Sequence, residues 1–222
     1  MKDYSSFDVL GPIMIGPSSS HTAGAARLGN ISKKIAQPNF TKVKFYLHGS
    51  FAETYRGHGT DKALVAGILG YEPDDERIIK SFDLAKEKGI EIEFIEYDLG
   101  YQHPNTVKIV FKYEDASEFY VLGSSIGGGS VVIYDINGDQ IEFTGDYPTI
   151  VLKYYDKKGV IMNISSILSS GHHNIGKLNV TRDGNIATMI LELDASIDKD
   201  TVHSISSLED VFYLRYIDVT RS

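Results

Sequence analysis

The 222-residue sequence has no cysteine. That excludes disulfides, thiolate zinc sites, a cysteine nucleophile and a cysteine-ligated iron–sulfur cluster held by this chain alone. Long apolar runs are also missing. No stretch approaches the ~20 apolar residues of a membrane helix. Positive charge is in short supply: 22 Lys and Arg stand against 30 Asp and Glu, a formal net charge of -8. Nucleic acid needs a basic face to displace its counterions, so binding to it is not expected. Residues 1–10 lack the basic-then-apolar layout of a secretion signal, and a soluble cytoplasmic protein is expected. No internal repeat or low-complexity tract occurs. What is present is a 42% hydrophobic composition, enough for a sizeable core in one or two domains.

The most informative stretch is Gly16-Pro17-Ser18-Ser19-Ser20-His21-Thr22, followed by the small, apolar segment 23–31. Ser and Thr cap helices by accepting orphan N–H groups of the first turn, but one cap suffices. Several hydroxyls beside an imidazole therefore point to a second task. A helix N-terminus offers free donors and the positive end of the dipole, which suits a carboxylate or phosphate. Histidine adds a group that moves protons near neutral pH. The run reads as half of a site for a small anion on which proton chemistry occurs; the competing reading is an over-decorated cap on a surface helix.

Residues 43–47 and 90–97 alternate as strands, and 107–113, 119–122, 131–136 and 141–143 read as further strands. A second polar cluster, Gly57-His58-Gly59-Thr60-Asp61-Lys62, precedes an apolar helix over 63–69, with Thr60 or Asp61 as its cap and Gly70 as its stop. Asp74-Asp75-Glu76 opens another helix, with Ile78, Ile79, Phe82 and Ala85 as its buried stripe. Asn137-Gly138 signals a hairpin turn. Gly127-Gly128-Gly129 lacks a following Lys-Ser/Thr, so it is no nucleotide loop. Gly145-Asp146-Tyr147-Pro148 reads as a joint. Beyond it come a strand over 149–155, a helix over 160–170 with Ile161, Ile164, Ile167 and Leu168 on one face, strands over 174–182 and 186–193, a helix capped by Asp198, and a strand over 211–217. This order is βαββαβ, the split βαβ arrangement.

In this order, the 16–22 run, the 57–62 cluster, His103-Pro104-Asn105-Thr106 and Ser125-Ile126-Gly127-Gly128-Gly129 resemble the beta subunits of bacterial iron–sulfur L-serine dehydratases. The C-terminal piece resembles an ACT domain, with Asp156-Lys157-Lys158-Gly159-Val160 where such domains place their first turn. The resemblance implies an α+β chain: a serine-dehydratase-beta-type domain with a mixed sheet over 1–147, and a ferredoxin-like ACT regulatory domain over 148–222. It implies a lyase subunit that converts L-serine to pyruvate and ammonia, in amino-acid degradation and gluconeogenesis. It also implies a [4Fe-4S] cluster ligated by a cysteine-containing alpha subunit, which agrees with the missing cysteines here.

By the same resemblance, His21 and His58 are the catalytic candidates, with the assignment of acid and base left open; the base can also belong to the alpha subunit. Ser18, Ser19, Ser20, Thr22 and Thr60 are the expected substrate-binding residues. Asp156, Gly159 and Val160 are the expected effector-binding residues, for an amino acid or a cation, and self-association is expected through the ACT domains. His48, His103, His172, His173 and His203 are read as structural or surface residues, and no metal ligands are expected in this chain. Two other readings compete: a non-catalytic amino-acid-binding regulatory subunit, and a stand-alone enzyme with a different cofactor such as pyridoxal phosphate, which needs a Schiff-base lysine and is supported by nothing beyond Lys62 near the 57–62 motif.

Overall fold

The structure is a computed structural model and describes residues 12–218; the reading of residues 1–10 concerns a segment outside that range. The chain divides into two compact units between Gly138 and Asp139.

In the first unit, a π-helical turn over Ser19–Gly24 runs directly into helix α1 (Ala25–Ile35). Strand β1 (Lys42–Leu47) follows, then the short helix α2 (Gly49–Thr54) and helix α3 (Thr60–Leu69). A 3-10 turn over Glu76–Lys80 leads into α4 (Ser81–Glu87). Next come β2 (Glu91–Glu96), β3 (Thr106–Lys112), β4 (Glu118–Gly127) and β5 (Ser130–Ile136). These strands form a mixed sheet in the order β2-β1-β3-β4-β5, and β6 (Asp139–Phe143) falls in the second unit. β1 and β2 are parallel, while β3 and β4 run antiparallel to their neighbours. Val43, Phe45 and Leu47 alternate into the core, as a strand with one buried face requires.

Helices α1 and α3 lie side by side in the same direction, and two glycines set how close they come. A Cβ on Gly67 would lie 2.1 Å from the Ala26 carbonyl oxygen, and one on Gly29 would lie 2.6 Å from the Leu64 carbonyl oxygen. Ala25 and Ala26 of α1 and Ala63 and Ala66 of α3 are all fully buried. At the far end Lys33 Nζ donates to the Leu69 carbonyl at 2.9 Å, next to the αL stop at Gly70. Parallel alignment therefore delivers both helix N-termini to one place.

Two local expectations are corrected. α3 begins at Thr60 with Gly59 as its N-cap in the αL conformation and no side-chain cap; neither Thr60 nor Asp61 caps it. Gly59 has already turned the chain one residue earlier, and the Asp61 carboxylate accepts the Lys62 N–H at 2.8 Å instead. The stripe over 78–85 is only half right: Ile78 and Ala85 are buried, but Ile79 is 61% and Phe82 37% exposed. The 3-10 turn winds three residues per turn, so it breaks the 3.6-residue phase on which the stripe depends.

The second unit has β7 (Thr149–Tyr155), α5 (Val160–Ser170), β8 (Ile175–Asp183), β9 (Ile186–Leu193), α6 (Lys199–Ser206) and β10 (Val211–Ile217). They form an antiparallel sheet in the order β10-β7-β9-β8, as the βαββαβ reading expects. Ile150, Leu152 and Tyr154 of β7 and Ala187, Met189 and Leu191 of β9 pack against Val160, Ile164 and Leu168 of α5. Ile161, expected on that face, is half-exposed, because the i, i+4, i+8 stripe from Val160 takes the core side. Asp198 caps α6 as expected, accepting the Thr201 N–H at 2.7 Å.

Candidate active site

The hydroxyl-rich run begins with Ser18 in an extended conformation, its Oγ accepting the His21 N–H at 3.3 Å. The turn that follows is π-helical, not α-helical. Such wide turns are uncommon and occur often at functional sites. Here the turn carries His21 into the interior, where the residue is 9% exposed. Both ring nitrogens are engaged. Nδ1 lies 3.1 Å from Ser20 Oγ and 3.4 Å from Ser18 Oγ, and Nε2 lies 3.0 Å from Ser50 Oγ.

His58 stands beside it. The two imidazoles meet edge to face, with ring centroids 4.8 Å apart, and Phe51 flanks His21 from another side at 5.3 Å. The Thr22 hydroxyl fixes this juxtaposition by donating to the His58 carbonyl at 3.3 Å. Burial holds the His21 pKa below the usual imidazole value and the neighbouring His58 lowers it further, while the Ser50 backbone carbonyl acts the other way. His21 is thus a neutral ring near pH 7. His58 Nδ1 is buried and has no hydrogen-bond partner.

Two further segments close on the turn. Ser125 N–H donates to the Asn105 carbonyl at 3.0 Å, joining the end of β4 to the 103–106 loop. That loop is fixed by Thr106 Oγ1, which donates to the His103 carbonyl at 2.6 Å and lies 2.5 Å from Ser124 Oγ. Ser125 in turn presses on the π turn, where a Cβ on Gly24 would fall 1.9 Å from its Oγ. Only glycine fits at 24. Ser125 Oγ, Asn105 Oδ1, Thr60 Oγ1 and His58 Nδ1 are all buried without a hydrogen-bond partner. An unmade buried hydrogen bond costs roughly 1–3 kcal/mol. Four such atoms on segments that meet at one turn mark a place built to be completed by something polar.

The scan of known families finds the serine dehydratase beta chain over residues 5–135. The L-serine dehydratase beta chain of Peptoniphilus asaccharolyticus is 50% identical over 222 residues, covering 99% of this chain and 100% of the relative. The chain belongs to the serine dehydratase beta chain family. A probable L-serine dehydratase beta chain of Bacillus subtilis (strain 168) is 41% identical over 221 residues, 98% of this chain and 99% of that one. Among solved structures, the ACT domain from GTP pyrophosphokinase of Chlorobium tepidum aligns with 31% of this chain and 94% of its own length, at 19% identity and a TM-score of 0.27. All the site residues described above lie within the family's matched span.

Of the residues picked out by sequence, Ser18, Ser20, His21, Thr22 and His58 are brought together by direct contacts. Ser19 opens the π turn, and Thr60 opens α3 two residues beyond His58. Thr22 is buried and its hydroxyl is spent on the His58 carbonyl. Ser50 lies outside the sequence motifs, while Asn105 and Ser125 lie in the 103–106 and 125–129 motifs without an assigned site role. The legible signal for Ser50 is its place just past the end of β1, where the chain must turn beside the 57–62 cluster. His48 and His103 each accept a nearby backbone N–H through Nδ1, from Leu99 at 3.2 Å and Asn105 at 3.1 Å.

In the second unit, Asp156 pairs with Arg182 Nε at 2.8 Å, and Gly159 takes the αL conformation ahead of α5. The Val160 side chain is buried in the core, so only its backbone can face a ligand.

Proposed function

We propose that the chain is the beta subunit of an L-serine ammonia-lyase that yields pyruvate and ammonia. The observation that carries this reading is the pair of imidazoles at the shared N-terminal end of two parallel helices, one bound on both nitrogens by serines and the other with a buried nitrogen unpaired. Family membership supports it.

The donor set of this chain does not fit an iron–sulfur cluster. There is no cysteine, and among the described residues no group of three or more His, Cys, Asp or Glu could hold a metal ion. The reading assigns the [4Fe-4S] cluster to a cysteine-containing alpha subunit. What this chain contributes is binding, orientation and proton transfer.

Ser18, Ser19 and Ser20, with the free N–H groups of the π turn, hold the substrate carboxylate, aided by the positive end of the α1 dipole. Preorganised donors there stabilise the charge that develops when the Cα proton leaves. An imidazole takes that proton, the hydroxyl departs with a proton as water, and the enamine tautomerises and hydrolyses to pyruvate and ammonia. His21 faces the serines, and His58 is the second proton carrier. In the second unit, the turn over 156–160 is read as the effector site and the unit as the surface for self-association.

The test is anaerobic co-expression with a cysteine-rich partner chain. The complex is expected to form pyruvate from L-serine and the purified chain alone to form none. Serine consumption by the chain alone without iron would contradict the reading.

A further inference from the structure

In the second unit one edge of the sheet is left open along an exposed strand. β8 is nine residues long, stands at the end of the order β10-β7-β9-β8 and pairs with β9 alone. Ile175 and Val180 are half-buried, the other residues of the strand are exposed, and Leu178 is 42% exposed. The direction of its peptide groups follows from β9. Leu193 donates its N–H to the Pro148 carbonyl on the β7 side, and Asp194 donates to the Asn174 carbonyl on the β8 side. Even-numbered residues of β9 therefore face β8. In register they meet Lys177, Asn179, Thr181 and Asp183, which face β9 in turn. The N–H and C=O groups of Leu178, Val180 and Arg182 point the other way, off the sheet.

An open strand edge invites pairing, and charged side chains along it discourage most strands. On β8 the charges are arranged about a centre: Lys177 stands three residues before Val180 and Asp183 three residues after it. Among the described residues neither has an ion-pair partner in its own chain. We propose that β8 pairs antiparallel with β8 of a second copy of this chain, about a two-fold axis at Val180. In that register Val180 faces Val180, Leu178 faces Arg182 and Lys177 faces Asp183, and symmetry makes the ion pair twice. The outward peptide groups of Leu178, Val180 and Arg182 then meet their counterparts as the narrow pairs of an antiparallel ladder. The Arg182 stem covers the exposed Leu178 of the other copy, while its guanidinium stays with its own Asp156 at 2.8 Å. Moving the axis to Asn179 sets Lys177 against Thr181, and moving it to Thr181 sets Asp183 against Asn179; either shift loses both ion pairs. The opposite edge has no such register. β10 is irregular between Val211 and Tyr213, and a two-fold at Leu214 sets Tyr213 against Arg215 with no acid. The proposal rests on the self-association read above for the second unit, and it names the edge and the register.

The test measures self-association of the full chain by sedimentation equilibrium. The wild-type chain is expected to dimerise. Lys177→Asp and Asp183→Lys each set like charges opposite one another, and each is expected to weaken the dimer about tenfold or more, while the double variant, which restores opposite charges, returns to within about threefold of wild type. In the same samples amide hydrogen exchange at Leu178, Val180 and Arg182 is expected to slow as the chain concentration rises. A dimer indifferent to the single reversals, or not restored by the double one, overturns the β8 pairing and leaves self-association standing. A wild-type chain that is monomeric at every concentration reached overturns both. Serine turnover, which tests the lyase reading, is a separate measurement that neither result prejudges.

Discussion

At the residue scale, the site is two imidazoles treated differently by their surroundings. His21 is buried and kept neutral; its pKa lies below the unperturbed 6.5, first because of burial and then because of His58. The sign of the linkage follows. A histidine depressed in the folded state gives its full stability above pH 6.5 and loses it as the pH falls through the folded value. Acidification from pH 7 to pH 5 is therefore expected to lower Tm more in the wild-type chain than in His21→Asn, as read by thermal unfolding at the two pH values. Equal losses in both would contradict the assignment. The serines separate binding from folding. Ser20→Ala is expected to raise KM for L-serine on the order of tenfold, the loss of one hydrogen bond to a charged group, with Tm nearly unchanged. An unchanged KM with a lowered Tm would instead make the run an ordinary cap. The residue types at 18–22 and 58 announced this site in the sequence. Ser50 did not, because a single polar residue in a loop has no periodicity to betray which nitrogen or carbonyl it will meet, and Asn105 stood in a motif whose residues had no assigned role.

At the element scale, close approach of α1 and α3 is what places His21 next to His58. Gly67→Ala would drive a methyl group into the Ala26 carbonyl, and the neighbouring backbone cannot yield without parting the helices. The expected cost is about 1–3 kcal/mol of stability, read by denaturant unfolding, together with a fall in kcat that Ser18 and Ser20 variants do not mimic. A fully active and equally stable Gly67→Ala chain would show that the spacing does not matter. The strands were readable from alternation, and the βαββαβ order of the second unit from the spacing of its turns. The π turn was not. Ser and Thr after a proline announce an α-helix start, and nothing local tells that Ser125 will press on Gly24 from a strand a hundred residues away. The stripe over 78–85 failed for a related reason, since a change from 3.6 to three residues per turn leaves no mark on composition.

At the scale of the whole molecule, the chain belongs to the serine dehydratase beta chain family, and several buried polar atoms among its described residues have no hydrogen-bond partner. The effector reading of the second unit makes its own prediction. Gly159 sits at φ 94°, so Gly159→Ala is expected to cost about 1 kcal/mol and to blunt the enzyme's response to small amino acids or monovalent cations without altering KM for L-serine. An unaltered effector response, read from serine turnover across effector concentrations, would remove the turn over 156–160 from consideration. The central claim is that this chain carries the proton chemistry. It is tested most directly by pyruvate formation from L-serine in the assembled enzyme bearing His21→Asn or His58→Asn, with iron content measured on the same samples. The account predicts full iron loading and a loss of kcat on the order of a hundredfold or more in each variant. Wild-type turnover in both variants would contradict it.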